Sequence, residues 1–110
     1  MPDVLPIACS LDATELPERL REMADLGRDA LLDARIEATR AQLRFAAGEA
    51  VHERLEAVVA AESRCCAFLT MRIVPAADGL LLTIDAPAGA DVVLAELVDA
   101  FAAGRAEAAR

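Results

Sequence analysis

Cys65 and Cys66 are adjacent, Glu62 precedes them by three and four residues, and Cys9 is the third and last cysteine of the chain. Little else among the 110 residues could do chemistry: there is one histidine, His52, and neither tryptophan nor tyrosine. A single imidazole with no Gly-rich phosphate loop beside it supports neither a Ser/His/Asp triad nor nucleotide binding. Free thiols can hold soft metal ions, act as nucleophiles or redox centres, or pack as small hydrophobes. The three cysteines are therefore where a reaction or a ligand is expected, with core packing as the alternative.

An odd cysteine count rules out a fully paired intramolecular disulfide framework. Neighbouring Cα atoms lie about 3.8 Å apart, below the disulfide range of roughly 4.4–6.8 Å, so a Cys65–Cys66 bridge would be strained. Successive helical positions diverge by about 100°, so the two thiols cannot both face one core. Free Cys65 and Cys66 at the end of a helix then discriminate between metal and nucleophile. The last helical turn carries partial negative charge, which disfavours a bare thiolate and favours a bound cation.

The metal set expected on these grounds is Cys9, Cys65 and Cys66, with Glu62 as a harder fourth donor. Two or three thiolates suit Hg(II), Cu(I) or As(III), whereas Zn(II) would want a fourth ligand. No organic cofactor is expected. His52 lies fourteen residues before Cys66, about 20 Å along a helix, and is discounted as a ligand. The expected function is binding or sequestration of such an ion. One alternative is a thiol-dependent enzyme or redox protein, with Cys65 and Cys66 reactive and Glu62 as base. In it, Glu62, Arg64 and Arg72 are the local groups able to activate a thiol. Another is a non-catalytic dimeric regulatory domain in which Cys9 and its two counterparts simply pack. A bland role for Glu62 also exists, as a half-exposed partner of Arg54 or Arg72.

The segments Ile7-Ala8-Cys9-Ser10-Leu11 and Glu62-Ser63-Arg64-Cys65-Cys66-Ala67-Phe68-Leu69 resemble the paired signatures of a group of small bacterial proteins. That group has an Ile-x-Cys-Thr-Leu-like start and a Glu-x-x-Cys-Cys-x-Phe helix end. Ser10 stands where threonine is commoner. The resemblance spans the whole chain, singles out Cys9, Glu62, Cys65, Cys66 and Phe68, and implies a loose association with heavy-metal resistance.

The elements that must position these residues follow from periodicity. Asp12 or Thr14 can cap a first helix, Asp12 with Glu15 resembling a capping box. Leu16, Leu20, Met23 and Ala24 share one face, Pro17 is tolerable in the first turn, and Gly27 reads as the stop. From Ala30 the period is two: Ala30, Leu32, Ala34, Ile36 and Ala38 alternate with Leu31, Asp33, Arg35, Glu37 and Thr39. A weak turn at Thr39-Arg40 leads to a second strand, Ala41 to Ala46. A helix is expected from about Glu49 to Phe68, with Val51, Leu55, Val58, Val59, Glu62 and Cys66 on its apolar stripe. Strands Leu69 to Val74 and Leu80 to Asp85 follow, joined through Asp78-Gly79, the strongest turn signal in the chain. A last helix, about Ala90 to Ala103, carries Val93, Leu94, Leu97, Val98 and Phe101.

This order predicts one α+β domain over residues 1–104, with a frayed tail over 105–110. Its architecture is a two-layer α-β-β-α-β-β-α sandwich, a four-stranded antiparallel sheet with helices on one face. The outward sheet face, with Leu31, Val74 and Leu81 among charges, is where a second subunit is expected, giving a homodimer. A net charge of −8, with arginine as the only basic residue type, repels phosphate backbones and anionic lipid, so nucleic acid and membrane surfaces are not expected partners. No apolar run approaches the roughly 20 residues that span a bilayer. Residues 1–6 make a poor signal peptide, and the cytoplasm is the expected compartment.

Overall fold

The computed structural model describes the backbone of residues 16–65 and 68–108, and side chains within 18–64 and 68–104. The elements are α1 (Leu16–Ala30), β1 (Leu31–Glu37), β2 (Arg40–Ala46), α2 (Glu49–Cys65), β3 (Thr70–Ala76), β4 (Gly79–Asp85) and α3 (Asp91–Ala108). The α-β-β-α-β-β-α order and the open antiparallel sheet agree with the expected α+β sandwich. Cys9, Cys66, the Asp12, Thr14 and Glu15 capping positions and the side chains of Leu16, Pro17 and Cys65 lie outside the described residues.

Each hairpin supplies one central strand, giving the order β1-β2-β4-β3. The β2–β4 seam pairs Leu43 with Leu82 and Ala41 with Ile84. Those four residues and Phe45 are buried on one face. The opposite face carries Arg44, Gln42 and Arg40 beside Leu81, Thr83 and Asp85, the polar-out alternation of a half-covered antiparallel sheet. Phe45 meets Phe101 of α3 edge to face, with ring centroids 5.5 Å apart and planes at 73°, so α3 is seated on the sheet by an aromatic pair.

Several local expectations shift. Gly27 does not stop α1, which continues to Ala30. Instead, a Cβ on Gly27 would collide with the Phe101 carbonyl, and one on Gly104 with the Ala24 carbonyl. These two glycines let α1 and α3 cross backbone to backbone. For the same reason α3 runs through Gly104 to Ala108 rather than ending at Ala103.

In β1 a bulge between Leu31 and Asp33 reverses the expected parity at its start. Leu31 is buried and Leu32 is 41% exposed, so Leu31 belongs to the core and not to the outward face. Val74 and Leu81 do lie on that face, in one cross-strand row. The first hairpin turns at Ala38-Thr39, one residue earlier than expected, with Ala38 at φ 53°. The second turns at Ala77-Asp78. Gly79 opens β4, where a Cβ would strike the Phe45 carbonyl.

Candidate functional site

α2 forms because Leu55 and Val58 recur at helical spacing and are buried, with Val51 and Val59 packed beside them. The described part of the helix runs to Cys65, and Phe68, the expected last residue, lies outside it. Phe68 is a turn residue, 40% exposed. Glu62 continues the apolar stripe and is buried, so the carboxylate at the cysteine end of the helix is not a half-exposed surface group.

Its partner is Arg19 of α1, with Nη2 3.5 Å from Oε2. The side chains keep only 14% and 9% of their exposure. Arg54 is instead paired with Asp29 at 3.1 Å, and its hydrogen bond is the main cause that holds the Asp29 carboxyl below its ordinary range. The contacts Arg19–Glu62 and Asp29–Arg54 lie at opposite ends of α1 and set it antiparallel to α2. Arg72 is on the far side of the sheet, opposite Thr83. Neither residue expected to pair with Glu62 therefore does so.

Arg19 is the residue of this corner that periodicity missed. Leu20, assigned to the apolar face of α1, is 45% exposed, while Met23, Leu26 and Ala30 are buried. Arg19, Met23, Leu26 and Ala30 recur at steps of four, three and four, so the inward stripe begins with a cation. A buried arginine at the head of one stripe and a glutamate at the end of another was the available signal.

The electrostatics of this corner are unbalanced. Arg19 Nε lies 3.6 Å from Glu22 Oε1, and among the described residues the buried Nε and Nη2 have no hydrogen-bond partner. Burial pushes the Glu62 carboxyl above its ordinary range, and the Arg19 charge pulls it back. Chemically, the corner holds a carboxylate that can take up a proton and a guanidinium with donors to spare, one helical turn before Cys65.

Cys9, Cys66 and the Cys65 sulfur lie outside the described residues; among those described, no three His, Cys, Asp or Glu side chains are grouped to hold a metal. The described cavity, about 360 Å³, lies elsewhere, against Arg35, Glu37, Ala38, Arg40 and Gln42 at the end of the first hairpin. His52, at the start of α2, is exposed and lies 3.4 Å from Glu56. No helix among the described residues is long and apolar enough to cross a membrane. No family model, curated protein or solved structure matches the chain.

Proposed function

We propose that the chain binds a soft metal ion of the Hg(II), Cu(I) or As(III) kind through Cys9, Cys65 and Cys66, and sequesters or delivers it in the cytoplasm. The observation that carries this is that the described part of α2 runs to Cys65 while Phe68 is already a turn residue, which sets Cys65 in the C-terminal part of the helix. The unpaired carbonyls of a helix end hold partial negative charge. A bare thiolate is disfavoured there, and a thiolate joined to a cation is not. Arg19 competes with any metal for Glu62 Oε2, which leaves the sulfurs as primary ligands and Glu62 as a secondary one. The resemblance to bacterial proteins associated with heavy-metal resistance points to the same chemistry.

Titration with Hg(II) or Cu(I) tests it. The expected result is near-stoichiometric uptake, with a thiolate-to-metal absorption band that Cys65→Ser removes. Uptake no greater than that of the urea-unfolded chain would overturn the proposal.

Arg19 favours one alternative specifically. A guanidinium held against Glu62, with buried donors unfilled among the described residues, would stabilise a thiolate brought to it and make it nucleophilic, with Glu62 as base. That chemistry requires a thiol pKa below about 7 in alkylation-rate profiles, moving upward in Arg19→Gln. A metal-binding site at a helix C-terminus requires ordinary or raised thiol values and no response to Arg19.

A further inference from the structure

Among the described residues β1 and β3 are the two edges of the sheet, and the edges are not alike. β3 carries Pro75, which has no N–H to donate to an added strand. β1 has no proline, and along it Leu32 and Ile36 are 41% and 40% exposed. An edge strand with free backbone groups and exposed apolar side chains is a template for pairing with another chain.

The order of residues on β1 specifies which chain. Leu32-Asp33-Ala34-Arg35-Ile36 reads apolar, acidic, small, basic, apolar. Laid antiparallel against a second copy about a two-fold axis at Ala34, Asp33 falls opposite Arg35 of the other copy, and Leu32 opposite Ile36. Both relations occur twice by symmetry. A two-fold interface must be self-complementary in this way. Asp33 and Arg35 share the outward sheet face, opposite Arg44 and Gln42 of β2. Asp33 already contacts Arg44, whereas Arg35 has no ion pair among the described residues. An acid on the second copy would supply it.

The open sheet face is a poorer candidate. With strands aligned, a two-fold axis along the strands would lay the row Arg35, Gln42, Thr83, Arg72 on itself and Arg35 on Arg72. An axis along that row would lay Asp33 on Glu37 and Arg40 on Arg44.

We propose that two copies of this chain associate by antiparallel pairing of their β1 strands about Ala34, joining the two sheets into one of eight strands. A single pair of seven-residue strands buries less than a standard interface of roughly 1,600 Å², and the −8 charge of each chain opposes association. The dimer is therefore concentration-dependent.

Sedimentation equilibrium of the full chain tests this, scanned from about 1 to 300 µM, the range of a weak interface. The apparent mass should rise from 11.6 kDa toward twice that value. Arg35→Asp and Asp33→Arg each place like charges opposite one another at both symmetric positions. Each should weaken association at least about tenfold; because Asp33→Arg also sets an arginine against Arg44 of its own chain, circular dichroism is recorded for both variants and should match wild type. Mixing the two variants should restore a heterodimer, since every opposed pair is then acid against base. A wild-type chain that stays monomeric throughout would overturn the proposal and assign the β1 charges and bulge to guarding the edge. Variants that dimerise like wild type, or a mixture that does not recover, would also overturn it.

Discussion

Arg19 and Glu62 meet between α1 and α2 at 3.5 Å, each almost wholly removed from water. The distance exceeds that of a tight charge-assisted hydrogen bond, so much of the desolvation penalty of both ions goes unrepaid. The pair is thus poorly explained as a stabilising device. Replacing both with apolar residues, Arg19→Met with Glu62→Leu, should be neutral or stabilise the fold by about 1–3 kcal/mol. Arg19→Met alone leaves a buried carboxylate without its cation and should lose about 2 kcal/mol or more. Urea unfolding of the single and double variants distinguishes these outcomes. A double variant clearly less stable than wild type would show the pair to be a net stabiliser.

The same pair has a pH signature. Burial raises the Glu62 carboxyl above its ordinary value of 4.5, so between that value and its folded pKa the native state binds more protons than the unfolded one. Stability contributed by this group therefore increases as pH falls through the folded pKa and levels off below the unfolded value. Glu62→Gln removes the effect. The stability of wild type minus that of Glu62→Gln should become more positive on acidification from neutrality. In an Arg19→Met background the rise should begin at higher pH, because the charge that lowers the carboxyl is gone. A difference that is flat with pH, or that falls on acidification, would mean Glu62 is not held in a desolvated site.

Ala38 holds φ 53° in the two-residue turn between β1 and β2, a conformation that an L-residue with a Cβ adopts at a cost of roughly 1–2 kcal/mol. Ala38→Gly removes the steric term while adding unfolded-state entropy, and Ala38→Asn relieves it in part. Both should raise stability, by about 0.5–1 kcal/mol, seen as a few degrees in thermal melting. The turn is also tied to the end of the second hairpin by the N–H of Ala86, the residue after β4, donating to the Thr39 carbonyl, so the gain should appear in global unfolding. A loss of stability in both variants would place Ala38 in a right-handed conformation.

How far the sequence could be read depended on whether a signal was local. The stripe Leu55, Val58, Glu62 and the alternation Ala41, Leu43, Phe45 are repeated along one element, and both helix α2 and strand β2 were legible from them. The bulge at Leu32 was not, because it depends on how β1 meets β2, and one extra residue reverses every side chain before it. Nor was the partner of Glu62. Arg54 and Arg72 are nearer in sequence, but Arg19 is the cation that the antiparallel packing of α1 on α2 delivers.

Gly27 and Gly104 were misread for a related reason, and they provide the sharpest test of the packing. Isolated helix propensity favours Ala over Gly by about 1 kcal/mol, so Gly27→Ala in mid-helix α1 should stabilise a chain whose helix faced open space. Here the added methyl meets the Phe101 carbonyl, and at position 104 it meets that of Ala24. Both are backbone atoms and cannot rotate aside. α3 would have to move away from α1, carrying Phe101, fully buried against Phe45, off the sheet. Overpacking of this kind should outweigh the propensity gain and leave each variant about 2 kcal/mol or more less stable. Because Arg19 lies in the same helix as Gly27, either substitution should also loosen the contact of α1 with Glu62. Hydrogen exchange at the end of α2 should then rise more than in a control such as Ala95→Gly, on the exposed side of α3. Stabilisation by either glycine substitution would rule out the close helix crossing.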